Sequence, residues 1–140
     1  VLHVVVDGAN VVGSRPDGWW RDREDAARRL AGRLVAALTA DRLGLAEAFG
    51  HPGAELRVHL VLEGAAARVE DLPTHPALTV IRARADGDSM IAAVAADLVV
   101  DGSGAPVVVV TADRALREQV RGSGATTTGP GTLLNALPAP

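Results

Sequence analysis

Val107-Val108-Val109-Val110-Thr111-Ala112-Asp113 runs four consecutive valines into a hydroxyl and a carboxylate, and Val4-Val5-Val6-Asp7 runs three into a carboxylate near the start of the chain. Valine runs bounded by Gly or Pro are the pattern of central strands in a parallel sheet, where helices cover both faces. Asp7 and Asp113 then belong at the sheet's carboxyl edge, which is where open α/β sheets bind ligands. Acids gathered at that edge point to a metal or phosphate site rather than to a need of folding.

Working outward from these two runs, residues 2–6 read as the first strand and Asp7 to Gly18 as a loop. Asp22 is placed to cap a helix reaching about Asp41, with Ala27, Leu30, Leu34 and Leu38 as its buried stripe. Residues 41–54 read as a connection. Leu56 to Leu62 is a second strand that ends in Glu63-Gly64, and Leu78 to Ile81 a third. Asp86-Gly87-Asp88 opens a helix to about Leu98, with acids in the first turn where the helix dipole favours them. Ala105 to Val110 is the fourth strand and Ala112 to Arg121 the next helix, closed by Gly122-Ser123-Gly124. Ala125 to Thr127 adds a short last strand, and Gly131 to Leu137 a terminal helical turn. This order predicts an α/β fold, a three-layer α/β/α sandwich with a mainly parallel central sheet.

The chain has 140 residues and is 48% apolar, enough for one domain, residues 1–140, with its own core. Aromatic residues make up 2%, so packing rests on Val, Leu, Ala and Ile. All 14 basic residues are arginine, so no single arginine is by itself a sign of phosphate recognition. A net charge of −3 argues against coating of nucleic acid through global basic charge, though a local arginine patch remains open. The absence of cysteine excludes disulfides, zinc-thiolate sites and a thiol nucleophile, and agrees with a reducing compartment. No apolar stretch has the length of a membrane span and no signal peptide is visible, so no membrane partner and a cytoplasmic location are expected. Because the chain starts at Val1, a longer parent protein stays open.

Asp7-Gly8-Ala9-Asn10 sets a carboxylate at a strand end and an amide three residues on, with Gly8 expected to permit the turn that aims both at one point. Asp88 starts a helix that would abut the same edge. Thr111, two residues before Asp113, shares its side of the strand. Three carboxylates, an amide and a hydroxyl are all oxygen donors, which suits Mg²⁺ or Mn²⁺, whereas the carboxylates alone would repel one another.

On these residues the chain resembles the NYN-type nucleases of the PIN-like superfamily, and is most similar to their YacP-like branch. Asp7 to Asn10 matches the DGxN opening. Gly87-Asp88-Ser89-Met90-Ile91-Ala92 is similar to the acidic helix start, and Val109 to Arg114 to the T/S-x-D strand end. Arg117-Glu118-Gln119-Val120 and Gly124-Ala125 also fit, so the resemblance runs in order along nearly the whole chain. It implies a PIN-like fold and a metal-dependent nuclease in which Asp7, Asp88 and Asp113 hold Mg²⁺ or Mn²⁺. It further implies that Asn10 orients a water or phosphate, gives Thr111 its catalytic role, and makes RNA, ahead of DNA, the expected partner. Two departures stand out. The second strand ends in Glu63 where related chains often carry Asp, and Ala95 occupies the position seven residues after Asp88. Asp97 is half a turn out of phase and is not assigned, and one metal or two is open.

Plainer roles weigh against some of these residues. Asp86 is expected to cap its helix rather than ligate. Glu63 is balanced between supporting the site and simply ending a strand. Arg15, Arg21, Arg23, Arg28 and Arg29 offer a basic rim to the site, of which Arg15 and Arg21, on the loop after the first strand, are the better phosphate candidates, while Asp25 and Arg29 are partners on an ordinary helix face. Arg82 and Arg84 are assigned to substrate, with a salt bridge to a nearby acid as the competing role. One of Trp19 and Trp20 is expected to anchor its loop, and a base could stack on the other. His3 and His59 read as core or strand-edge residues. The alternative to an enzyme is a non-catalytic RNA- or protein-binding module on the same fold. A phosphatase using an aspartyl nucleophile needs an acid where Ala9 stands, and no dinucleotide fingerprint follows the first strand. Exposed sheet edges leave a homodimer open.

Overall fold

The computed structural model describes residues 1–101 and 103–139. Five strands form one parallel sheet: β1 (Leu2–Asp7), β2 (Leu56–Leu62), β3 (Leu78–Arg82), β4 (Val107–Val110) and β5 (Thr126–Thr128), in the spatial order β3-β2-β1-β4-β5. The order turns back on itself between β1 and β4. After β1 the chain steps outward to β2 and β3, then crosses back to start β4 on β1's other side. Asp7 and the Thr111-Ala112-Asp113 segment leave the sheet on either side of that switch point, where doubly wound sheets open a crevice.

Among the described residues, six α-helices cover the two faces: α1 (Gly8–Gly13), α2 (Arg23–Ala40), α3 (Arg42–Ala48), α4 (Gly87–Val100), α5 (Arg114–Gly122) and α6 (Pro130–Ala136). Even-numbered strand residues such as Val4, Val6, Leu60 and Val110 pack with Leu30, Leu34 and Leu38 of α2 and with Leu45 and Leu133 of α3 and α6. Odd-numbered residues Val5, Val61, Val107 and Val109 pack instead with Ile91 and Ala95 of α4 and Leu116 and Val120 of α5. This alternation is the two-residue period of a strand, and both sets are apolar because both faces are covered. The three-layer sandwich is therefore as the valine runs predict.

Two segments read as irregular are helical. Residues 8–13 form α1, because Asp7 caps the helix by accepting a hydrogen bond from the Asn10 amide at 3.2 Å. Residues 42–48 form α3, capped in the same way by Asp41, which accepts from Gly44. In each case one aspartate serves a strand end or a preceding helix end as well as the cap, and a short helix leaves too few apolar positions for its period to stand out. Smaller differences are in register: β3 runs on to Arg82, α5 starts at Arg114, and β5 spans Thr126–Thr128.

Gly8 has a different reason from the turn freedom expected of it. It sits in regular helix, and a Cβ there would lie 2.6 Å from the Val61 carbonyl oxygen and 2.9 Å from Leu62 Cδ2. Glycine lets α1 start hard against β2. Gly8→Ala is expected to lower stability by about 1–3 kcal/mol through overpacking against backbone, measured by urea unfolding. Gly32→Ala, in α2 with nothing within 4 Å of the new methyl, is the control of opposite sign, gaining about 0.5–1 kcal/mol.

Candidate metal and nucleic-acid site

Asp7 and Thr111 are the buried polar residues among those described, at 6% and 0% exposure. They are bonded to each other: Thr111 Oγ1 donates to Asp7 Oδ2 at 2.9 Å. Burying a carboxylate is costly unless its oxygens are met, and both oxygens of Asp7 are, the other by the Asn10 amide. Thr111 Oγ1 in turn accepts from the Asp113 amide at 3.2 Å, and Asn10 Oδ1 accepts from the Ala112 amide at 2.8 Å. The loops after β1 and β4 are thus stitched across the switch point by side chains on each. Arg117 adds to this by donating from Nε to the Thr111 carbonyl at 2.7 Å.

Strand parity decides what else arrives here. Asp7, Glu63 and Thr111 are odd-numbered, as are the inward residues of the α4–α5 face, and the first turn of α4 lies over that same edge. Glu63 Oε2 accepts a hydrogen bond from the Gly87 amide, tying the end of β2 to the root of α4. A side chain at Gly87 would meet that carboxylate at 3.0 Å. Glu63 thus does more than end its strand: it is bonded to the backbone of the residue next to Asp88. Asp86 caps α4, accepting from the Ser89 amide at 2.7 Å.

The electrostatics follow from this crowding. Loss of solvation raises the Asp7 carboxyl above its ordinary range against the lowering effect of its Thr111 and Asn10 bonds, and the charges of Asp88 and Glu63 raise it further. Asp88, though its side chain is exposed, is also raised, first by partial desolvation and then by Asp113, Glu63 and Asp86. Asp113 is half-buried and caps α5 through Oδ1, which accepts from Leu116 at 2.9 Å. Asp88 is thus the acid that links the others: it acts on Asp7 and is itself acted on by Asp113, Glu63 and Asp86. As they stand, no three of the described acids and histidines are close enough together to enclose an ion. Asp7 is held by its two bonds and Asp113 by its cap, whereas the Asp88 side chain is exposed. The donor set itself, carboxylate oxygens with an amide and a hydroxyl, fits a hard divalent cation.

The predicted arginines divide. Arg15, Arg21, Arg82 and Arg84 are all exposed. Arg82 Nη1 is bonded to the Ala67 carbonyl at 2.7 Å and so holds the turn after β2, and among the described residues it forms no bridge to an acid. Arg21 lies over the Trp20 ring, 5.9 Å from its centroid, and Trp20 is 51% exposed. Trp19 is half-buried and packs edge-on against Trp20, with ring centroids 6.0 Å apart. Arg29 pairs with Asp25 as an ordinary helix-face couple. Arg23, one of the rim arginines and the first residue of α2, stacks on Trp19 at 5.3 Å. His3 and His59 bond to each other at 3.0 Å across β1 and β2, away from the carboxyl edge. Burial, then His3 and Arg57, lowers His59 to about 4, so it is neutral near pH 7.

A raised acid pKa in the folded state means that the native protein holds its proton longer than the unfolded chain. The penalty of the buried Asp7 charge is therefore absent at low pH and grows as pH rises from the unfolded pKa through the folded one. Asp7→Asn is expected to raise the urea midpoint at pH 7 relative to the natural protein, with the gain vanishing toward pH 3. An unchanged or lowered midpoint at pH 7 would show that the carboxylate is not under electrostatic strain.

No protein-family model matches the chain, and no curated protein matches it. Among solved structures, it is similar to the crystal structure of a tryptophan-to-leucine variant of Rae1 (YacP) from Bacillus subtilis. The TM-score is 0.61 at 19% identity, over 96% of this chain and 74% of that one. At this identity the likeness is one of fold, and the chain has a YacP-like fold.

Proposed function

We propose that the protein is a divalent-metal-dependent nuclease that hydrolyses phosphodiester bonds, with RNA as its substrate. The observation that supports this most is the buried Asp7 carboxylate bonded to Thr111 at the switch point. Asp88 and Glu63 raise its pKa, and Asp113 raises that of Asp88, a repulsion that serves no folding purpose. The YacP-like fold and the collinear motifs of the NYN-type nucleases point the same way.

In this reading Asp7, Asp88 and Asp113 hold Mg²⁺ or Mn²⁺, which supplies the positive charge and water activation that phosphodiester hydrolysis needs. Asp7 is the fixed anchor, immobilised by Thr111 and the Asn10 amide, and Asp88 is the side chain that adjusts. Glu63 keeps the first turn of α4 over the edge. Asn10, whose Oδ1 is taken by the Ala112 amide, has its Nδ2 donors for a phosphate oxygen or water. Exposed Arg15, Arg21 and Arg84 supply phosphate contacts on the rim, and Arg82 supports the rim through the turn after β2. No histidine, serine or cysteine nucleophile takes part.

The test is cleavage of end-labelled single-stranded RNA with Mn²⁺ or Mg²⁺ and with chelator. The natural protein should cut only with metal. Asp113→Asn and Asp7→Asn should each lower the rate at least ~100-fold, on the scale of losing an electrostatic catalytic group, while circular dichroism stays unchanged. Full activity in both folded variants would refute the assignment. Absence of cleavage by the natural protein would favour the binding-module reading.

A further inference from the structure

Beside the acidic edge, on the opposite face of the sheet, lies a cavity of about 340 Å³ between α1, α2 and the turn after β2. Val12, Leu62 and Ala66 are among its apolar lining residues, Trp19 is its aromatic one, and Arg23 and Glu63 are its charged ones. Glu63 belongs to both places, since its carboxylate also accepts the Gly87 amide and acts on Asp7 and Asp88. Gly8, which lines the cavity, directly follows Asp7. Among the described residues, Arg23 forms no ion pair and is held instead by its stacking on Trp19.

We infer that this cavity receives one unpaired nucleobase of the strand whose phosphodiester lies at the acidic edge, an inference that rests on the nucleic-acid reading of that edge. Its volume is at the lower end of the ~300–1,000 Å³ typical of small-molecule sites, which suits a base with part of its ribose. An aromatic ring and apolar walls match the π-face that every base offers. Arg23 supplies only donors and the Glu63 carboxylate only acceptors, so the two address complementary groups on a base edge. A base still paired in a duplex cannot enter without being flipped out. The preferred substrate is therefore single-stranded, and Trp19 and Arg23 act in binding rather than in the chemical step.

Trp19 and Trp20 are the two tryptophans, so a Trp20→Phe variant makes indole fluorescence report on Trp19 alone. In metal-free buffer, a single-stranded hexaribonucleotide should quench that signal, and an abasic ribose-phosphate oligomer of equal length should not. Ala85→Leu, at an exposed residue that lines the cavity, should weaken binding about tenfold, within the ~1–3 kcal/mol that stacking one base is worth. Equal binding of the abasic oligomer, or quenching indifferent to Ala85→Leu, would overturn the inference. Cleavage of the same RNA by the metal-loaded natural protein is scored separately. Cleavage without base-dependent quenching would keep the hydrolytic reading and remove the pocket. Base-dependent quenching without cleavage would do the reverse.

Discussion

A carboxylate sealed between β1 and β4 is the constraint on which the rest of this structure depends. Asp7 is kept there by one hydroxyl and one backbone amide, and each comes from an element that must be correctly formed for the bond to exist. Thr111 presents its hydroxyl only if β4 lies beside β1 in the observed register, and the Asn10 amide is available only if α1 begins at Gly8. The same bonds therefore report on the crossover topology and fix the position of the acid.

The surrounding acids make the edge electrostatically unfavourable and chemically useful for the same reason. Asp88 and Glu63 act on a group that has already lost much of its hydration, and Asp113 acts on Asp88 in turn. Fixed hydrogen bonds and the N-terminus of α4 offset part of the repulsion. What remains is a concentration of hard oxygen donors at the switch point of a parallel sheet, where neither the core nor the packing of the helices calls for charge. Stability given up locally at a site of this kind is the usual counterpart of function.

The fold was legible in the sequence because valine is apolar and β-branched, and buried parallel strands have no polar face to confuse the pattern. All five strands and the helices α2, α4, α5 and α6 follow from it within a few residues. The short helices α1 and α3 were not legible, since each spans less than two turns and depends on an aspartate that also looks like a strand end or a helix end. At the site, residue types were readable and contacts were not. Asp7, Thr111, Asn10 and Asp113 could be placed at one edge by counting from strand ends, but the strand order that makes β1 and β4 neighbours is not encoded locally. The clamp from Glu63 to Gly87 joins residues 24 apart, and no spacing rule announces it. Arg23 was hidden among helix-face arginines, and only its stacking on Trp19 sets it apart.

The central claim is that the acids at residues 7, 88 and 113 converge on a common divalent ion. The most direct measurement is anomalous diffraction from crystals soaked in Mn²⁺. The account predicts a single strong peak, or a close pair, within ~2–2.5 Å of oxygens from Asp7 and at least one of Asp88 and Asp113. Strong Mn²⁺ peaks elsewhere on the molecule, with none at the carboxyl edge between β1 and β4, would contradict it.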